Sequence, residues 1–467
     1  MNALDGNDLL NSLTSTTYIE FKDYIFDIRT PLNIDINKIT LKNTYKNCIF
    51  TGDRIDFLNL KIDDIEKESH ILIFENCEFN NEIYFKDCSF QEITFRNSLN
   101  IEKIHIACKK LSYLILNNEE KIECKNFNLT LHNINISKEL TIRNIKTENS
   151  YLDFLRCEFN NVEIFNNNLK RIDISNSTCK KTFDFNKNEI SDSYIKDNNF
   201  FKFSFTRNDL NGESNFRNND FIGTTLFEKN KNDIRGKIII TSCNFEKYTY
   251  FSNSNLYELK IDTSKFLETT SFQDFKIDIF NLDRTIFEKT PFFDDFSIEK
   301  IDRCTHRTIR NLKQQLLRAD NSIDYNFYRA IEHRQYKIYL KDRIKKSKTK
   351  TEKKRLKRDL TILRINDFYS DNGVNWVKAI IQTLLLASIF YILFFIVYNL
   401  ENDFDLQKIN EFLIGYFRFF LVTDYYNPLE DRKYIDIWYA WPFFIIGKIA
   451  IGIGIFEIIN SFRKFKK

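Results

Sequence analysis

From about residue 74 onward, large apolar residues return at every fifth position. The series opens with Phe74 and Phe79, then Phe85, Phe90, Phe95, then Ile101, Ile106, Leu111 and Leu116. After a blurred stretch it resumes as Phe154, Phe159, Ile164, Leu169, Ile174, Cys179 and as Phe185, Ile190, Ile195, Phe200, Phe205, Leu210. Later runs read Phe216, Phe221, Leu226; Leu256, Ile261, Phe266; and Phe272, Ile277, Leu282, Phe287, Phe292. The phase slips by one residue between runs and then holds. Neither a helix of period 3.6 nor a strand of period 2 produces a five-residue rhythm. Two positions before many of these anchors stands a smaller residue, among them Cys77, Cys88, Cys157, Ser177, Ser193, Ser214, Cys243, Ser264 and Thr285.

A coiled chain accounts for this rhythm, with one five-residue unit per face, four faces per coil of roughly twenty residues, and each coil burying its anchors against its neighbours. Asn160-Asn161, Asn166-Asn167-Asn168 and Asn218-Asn219 suit the corners, because asparagine tolerates left-handed backbone and stacks in ladders. An antiparallel sandwich of short strands shares the Phe/Ile/Asn composition, but it would not keep a five-residue phase over dozens of residues. The pattern resembles the pentapeptide-repeat family, in which the central Leu or Phe and the small residue two places earlier point inward. The resemblance covers about half of the chain and rests on period and side-chain size. It implies a mainly β fold, a right-handed quadrilateral β-helix over residues 71–300. Residues 1–70 share the composition with a weaker phase and are expected to form an irregular β cap over the open edge of the solenoid.

At Arg303 the Phe/Asn punctuation gives way to helical spacing: Ile309, Leu312, Leu316, then Phe327, Ile331, Ile338. Residues 301–372 therefore read as a helical neck, broken at Asp320-Asn321, with Asp324 a candidate cap for the next helix. Charge separates the neck from what precedes it. Residues 1–300 carry 39 Lys/Arg against 47 Asp/Glu, whereas 301–376 carry 20 against 9, so the net charge of +4 conceals an acidic solenoid and a basic neck. The cluster around Lys345, Lys346, Lys353, Lys354 and Arg355 suits anionic lipid headgroups or nucleic acid. Its place just before an apolar span favours lipid.

Residues 373–467 read as a membrane domain. Residues 377–400 form an apolar run with one charge, Lys378, at its edge, long enough to cross a hydrocarbon core of about 30 Å. A second span is expected over 435–460, opening with Trp438, Tyr439 and Trp441 and containing Gly447, Gly452 and Gly454. Between them an acidic start (Glu401, Asp403, Asp405) leads into 409–422, too short to span comfortably and expected to be re-entrant or interfacial. Basic residues flank both outer ends, the neck on one side and Arg463, Lys464, Lys466, Lys467 on the other, which predicts cytoplasmic N- and C-termini. In the order of its elements this domain resembles two-transmembrane ion channels. Val422-Thr423-Asp424-Tyr425-Tyr426-Asn427-Pro428 stands where a potassium filter would need Thr-x-Gly-Tyr-Gly, and without glycines the backbone does not readily present a column of carbonyls. Lys448, Arg418 and Asp424 are the candidate membrane-interior polar residues. Lys448 falls mid-span, where a charge must face water or protein: an oligomeric cavity, Glu457, or Asp424. A shifted span that lets the lysine snorkel is the plain alternative.

Composition sharpens the picture. With 47 Phe but only 10 Gly and 4 Pro, most of the chain should be ordered. The nine cysteines are scattered singly, which reads as core packing in a reducing compartment and not as a metal or redox site. Five isolated histidines and the lack of a phosphate loop or nucleophile elbow point away from catalysis, and no cofactor is expected. Met1 to Leu13 does not read as a secretion signal. These readings converge on a multi-pass protein of a bacterial inner membrane. Its solenoid is expected to bind or sense an unidentified cytosolic protein, coupled to a homo-oligomeric, channel-like helix pair in the lipid bilayer. The alternatives are a non-conducting scaffold and, less favoured, a nucleic-acid-mimicking inhibitor.

Overall fold

The computed structural model describes residues 2–14, 19–35, 42–58, 70–98, 101–108, 110–119, 126–232, 236–399, 409–430 and 433–462. The chain divides into two compact units, Met1–Cys304 and Thr305–Lys467. The first is a parallel β-solenoid of about 12 turns. Among the described residues its strands form two sheets, of 18 and 16 strands, in which the named pairings are parallel. Glu158–Phe165 lies beside Thr178–Asn186 in one sheet while Asn168–Ser175 lies beside Glu189–Lys196 in the other, so each coil gives one strand to each sheet.

Most of the five-residue anchors meet in columns, although at Leu226 and Phe292 the inward place is taken one residue on, by Phe227 and Phe293. Cys179, Phe200, Phe221, Phe245, Phe266 and Phe287 are successive register partners. The rings of Phe221 and Phe245 stack at 4.6 Å, those of Phe245 and Phe266 at 4.4 Å and those of Phe266 and Phe287 at 5.0 Å. Each such ring buries apolar area that no single coil could cover, so stability is shared between neighbouring coils.

The corners follow a longer rhythm. Asn166, Asn176, Lys187, Asp197, Arg207 and Asn218 all have φ between 51° and 58°, one left-handed residue per half coil. Asparagine suits that backbone, but lysine and arginine also occupy it, so the corner is imposed by the coil as well as by propensity. The next residue turns inward. Asn167, Asn188, Asn208 and Asn230 are buried, and each backbone N–H of the first three donates to the Oδ1 of the next asparagine at 2.9–3.0 Å. Their Nδ2 groups donate to the carbonyls of Ile142, Ile164, Phe185 and Phe205. A second ladder links Ser177, Asn198 and Asn219. In Asn166-Asn167 and Asn218-Asn219 the first residue turns the chain and its successor satisfies buried backbone groups. Asn160 and Asn161, also expected at a corner, instead lie within the strand Glu158–Phe165 and donate to the carbonyls of Ser137 and Lys138.

Parallel pairing begins at Asn2–Asp5, which lies beside Tyr24–Ile28, itself beside Ile49–Gly52 and then Glu78–Lys86. The described strands before residue 70 therefore pair as coils where the sequence suggested an irregular β cap. Their five-residue phase is weak because coil length is uneven there, with 22 residues from Leu4 to Phe26, 24 from Phe26 to Phe50 and 29 from Phe50 to Phe79. The cap is instead helix α1 (Gly6–Thr14), which buries Leu9 and Leu13 beside Tyr45 and Phe50, with Ser12 Oγ 3.0 Å from Tyr45 Oη.

Cys48, Cys77, Cys88, Cys108, Cys157, Cys179, Cys243 and Cys304 are all buried free thiols, while Cys124 lies outside the described residues. Burial pushes the Cys157 thiol up to about 12 and those of Cys179 and Cys243 up to about 11, as expected of packing residues.

The second unit is helical: α2 (His306–Arg318), α3 (Ser322–Lys346), α4 (Lys350–Ser370), α5 (Trp376–Tyr398), α6 (Ile409–Phe420) and α7 (Trp441–Phe462). Thr305, Asn321 and Asn375 cap α2, α3 and α5 through their side-chain oxygens. The cap of α3 is thus Asn321, not Asp324. Asp324 sits three residues on, where its N–H is the group being capped and its carboxylate accepts from Asn321 Nδ2. Leu340 of α3 packs with Leu356, Leu360 and Leu363 of α4.

Candidate functional site

α5 and α7 are long and apolar enough to cross a bilayer, and only 22 % and 33 % of their apolar windows are buried. A core helix of a soluble protein would hide most of that surface. Here Ile381, Leu384, Leu385, Ile389, Ile392 and Ile396 of α5 are exposed, as are Ile445, Ile449, Phe456 and Ile459 of α7. A β-solenoid followed by two such helices fits a membrane-anchored repeat protein.

The two helices approach closely at glycines. A Cβ on Gly454 would lie 2.1 Å from Thr383 Oγ1, and one on Gly447 would lie 2.5 Å from Phe419 and 2.9 Å from Phe390. A Cβ on Gly452 would make only an ordinary van der Waals contact, with Val422 at 3.9 Å, so the close approach is at two of the three glycines.

α6 is the short helix expected over 409–422, and it docks on α5. Tyr391 Oη donates to the Phe412 carbonyl at 2.7 Å, Ser388 Oγ and Tyr416 Oη lie 2.8 Å apart, and Phe419 is buried with Tyr391, Phe394 and Phe444. The carboxyl end of α6 then meets Lys448. Its Nζ donates to the Leu421 carbonyl at 2.7 Å and to the Arg418 carbonyl at 3.4 Å, and it lies 5.3 Å and 5.0 Å from the ring centres of Phe419 and Phe444. Carbonyls at a helix end lack intrahelical partners and carry the negative pole of the helix dipole, so an ammonium is the complementary group. Lys448 is only 7 % exposed. The hydrogen bonds of this mid-span charge go to backbone carbonyls within its own chain.

The other candidates lie around this contact. Arg418 is half-buried in the last turn of α6 and offers its carbonyl to Lys448. Asp424, also half-buried, accepts the Tyr426 N–H at 3.0 Å. Glu457, 1 % exposed, accepts a hydrogen bond from Ser370 Oγ, the last residue of α4. The basic residues Lys345, Lys346, Lys353, Lys354 and Arg355 are exposed on α3 and α4. Glu401, Asp403, Asp405, Arg463, Lys464, Lys466 and Lys467, on which the charge-based topology drew, lie outside the described residues.

Ser370 belongs to a polar joint that the sequence did not single out. Asp371, Asn372 and Gly373 are successive left-handed residues that reverse the chain between α4 and α5. Ser370 Oγ accepts the Gly373 N–H at 2.8 Å, and Lys378 Nζ reaches Asp371 at 2.7 Å and the Asp367 carbonyl at 3.0 Å. Burial works to raise the Asp371 carboxyl, but hydrogen bonds from Lys378 and Asn375 and the charges of Lys378 and Arg334 together outweigh it and hold the group below the usual carboxylate range. Tyr369 Oη donates to the Ala450 carbonyl at 2.9 Å. Together these bonds tie the end of α4 to α5 through Lys378 and to α7 through Ala450 and Glu457. The Asp-Asn-Gly run was a visible signal for the reversal.

Comparison with known protein families, with curated proteins and with solved structures finds no match.

Proposed function

We propose that this chain is a membrane-anchored binding or sensing protein, with a solenoid of the pentapeptide-repeat type as its recognition surface and α5 to α7 as its anchor in a bacterial inner membrane. The observation that carries this reading is the exposed apolar surface of α5 and α7, which needs lipid to cover it, following a solenoid whose outer faces are polar and available to a protein partner. The basic neck before α5 supports a cytoplasmic solenoid.

The anchor reading draws on Lys448. A cation pathway at the end of a short re-entrant helix uses the negative pole of that helix, and here an ammonium already occupies it. A conducting homo-oligomer is the second reading, favoured by the order span, short helix, span. Full-length protein reconstituted in liposomes separates the two: no ion flux with retained membrane integration supports the anchor. Flux that responds to Lys448 substitution would replace it with the pore. Release of the protein from membranes by alkaline carbonate would overturn both.

A further inference from the structure

α4 exposes one apolar line. Ile362, Ile365 and Phe368 are 59 %, 37 % and 46 % exposed, while Leu356, Leu360 and Leu363 on the other side are buried against α3. At helical spacing, Lys354, Arg355 and Arg358 continue the exposed line away from the α5 end, and all three are exposed. The helix as a whole carries seven Lys/Arg against three Asp/Glu.

The depth of α4 is fixed by its end. Tyr369 bonds to Ala450, nine residues into α7, and Ser370 bonds to Glu457. The final turn of α4 therefore lies alongside a helix that spans the apolar slab. Past three left-handed residues, then Val374 and the Asn375 cap, α5 begins, and its first turns expose Trp376, Val377 and Ile381. An exposed apolar line on a helix whose end is bonded to a spanning helix, prolonged by a row of cations, has the character of an interfacial helix.

We propose that α4 lies in the membrane interface, with Ile362, Ile365 and Phe368 among the acyl chains and Lys354, Arg355 and Arg358 against anionic phospholipid headgroups. This deepens the membrane reading and rests on it. A nucleic acid would use the cations but not the apolar line, and a soluble protein partner would not require the bonds that tie the end of α4 to a spanning helix.

Amide hydrogen exchange on the full chain in nanodiscs tests the assignment, comparing phosphatidylcholine alone with the same lipid containing phosphatidylglycerol. Peptides covering 353–370 should exchange at least about threefold more slowly with the anionic lipid. The triple variant Lys354→Glu, Arg355→Glu, Arg358→Glu should abolish that difference, and Ile362→Ser with Ile365→Ser should speed exchange in both discs. Equal exchange of α4 in the two lipids, or slowing by a short DNA duplex in detergent that anionic lipid does not reproduce, overturns the proposal. Peptides of α5 and α7 report separately: if they too exchange freely in both discs, the membrane reading itself is lost.

Discussion

The ammonium of Lys448 and the carbonyl oxygen of Leu421 lie 2.7 Å apart, so a charge on one apolar helix closes the carboxyl end of another. Two needs meet in this contact. A lysine in an apolar slab is expensive by itself, and the carbonyls of Arg418 and Leu421, which accept the Leu421 and Asp424 N–H groups, each keep a second lone pair at the negative pole of the helix. Bringing them together satisfies both within one chain.

Replacing Lys448 by Met should therefore loosen α6 instead of relieving the membrane of a charge. We expect a net loss of about 1–2 kcal/mol in the thermal stability of the solubilised protein. Amide exchange over 416–422 should speed up with it. Lys448→Arg, which keeps a donor, should lose less.

The α5–α7 seam makes a contrast between two glycines. Gly454→Val should disrupt packing, because its Cβ would lie 2.8 Å from Thr383 Cβ and closer still to Oγ1. Gly452→Ala should be neutral within about 0.5 kcal/mol. Melting of the two variants in one detergent checks the ordering.

In the solenoid, Asn188 donates to the Ile164 carbonyl at 2.7 Å while its Oδ1 accepts from Asn167 N–H at 3.0 Å. Asn188→Ala would strand both buried groups, at a cost of about 2–4 kcal/mol. A lower urea midpoint in proteolysis-coupled unfolding of the full chain would register it. Substituting the exposed left-handed Lys187 by Asn should leave the midpoint unchanged or raise it slightly, since asparagine suits that backbone better.

The α2–α3 contact should be acid-sensitive. Burial works to raise the Glu332 carboxyl, but hydrogen bonds from Lys313 at 2.5 Å and Arg310 at 2.9 Å overcome it and hold the group below its ordinary 4.5. A depressed folded value means the unfolded chain binds the proton more readily. The stabilisation is thus complete above 4.5 and disappears as the pH falls through the folded value. Glu332→Gln should flatten the decline of melting temperature between about pH 6 and about pH 3.

Much of this architecture was legible along the chain. Period five is a local property, repeated in every coil, so its meaning survives without coordinates: anchors such as Phe200, Phe221 and Phe266 had to stack. The apolar runs that became α5 and α7 were equally plain, because length and composition alone decide whether a helix can reach across a bilayer. Less visible was the solenoid's early start, since coils of uneven length, 22 to 29 residues, blur a five-residue phase without changing the pairing.

What the tertiary structure alone decided concerns polar groups whose partners are remote in sequence. Asn166 and Asn167 are the same residue side by side, yet one turns the chain and the other joins a buried ladder, because only the coil's path says which side chain points inward. Lys448 could face a pore, a carboxylate or water by sequence alone. It meets the carbonyl of Leu421, 27 residues away, because docking of α6 on α5 carries that helix end to it. Ser370 and Glu457, 87 residues apart, are paired because α4 ends alongside α7. Apolar burial is specified by local pattern and tolerates approximate placement, whereas a hydrogen bond needs two particular atoms within about 3 Å, and only the assembled fold fixes that.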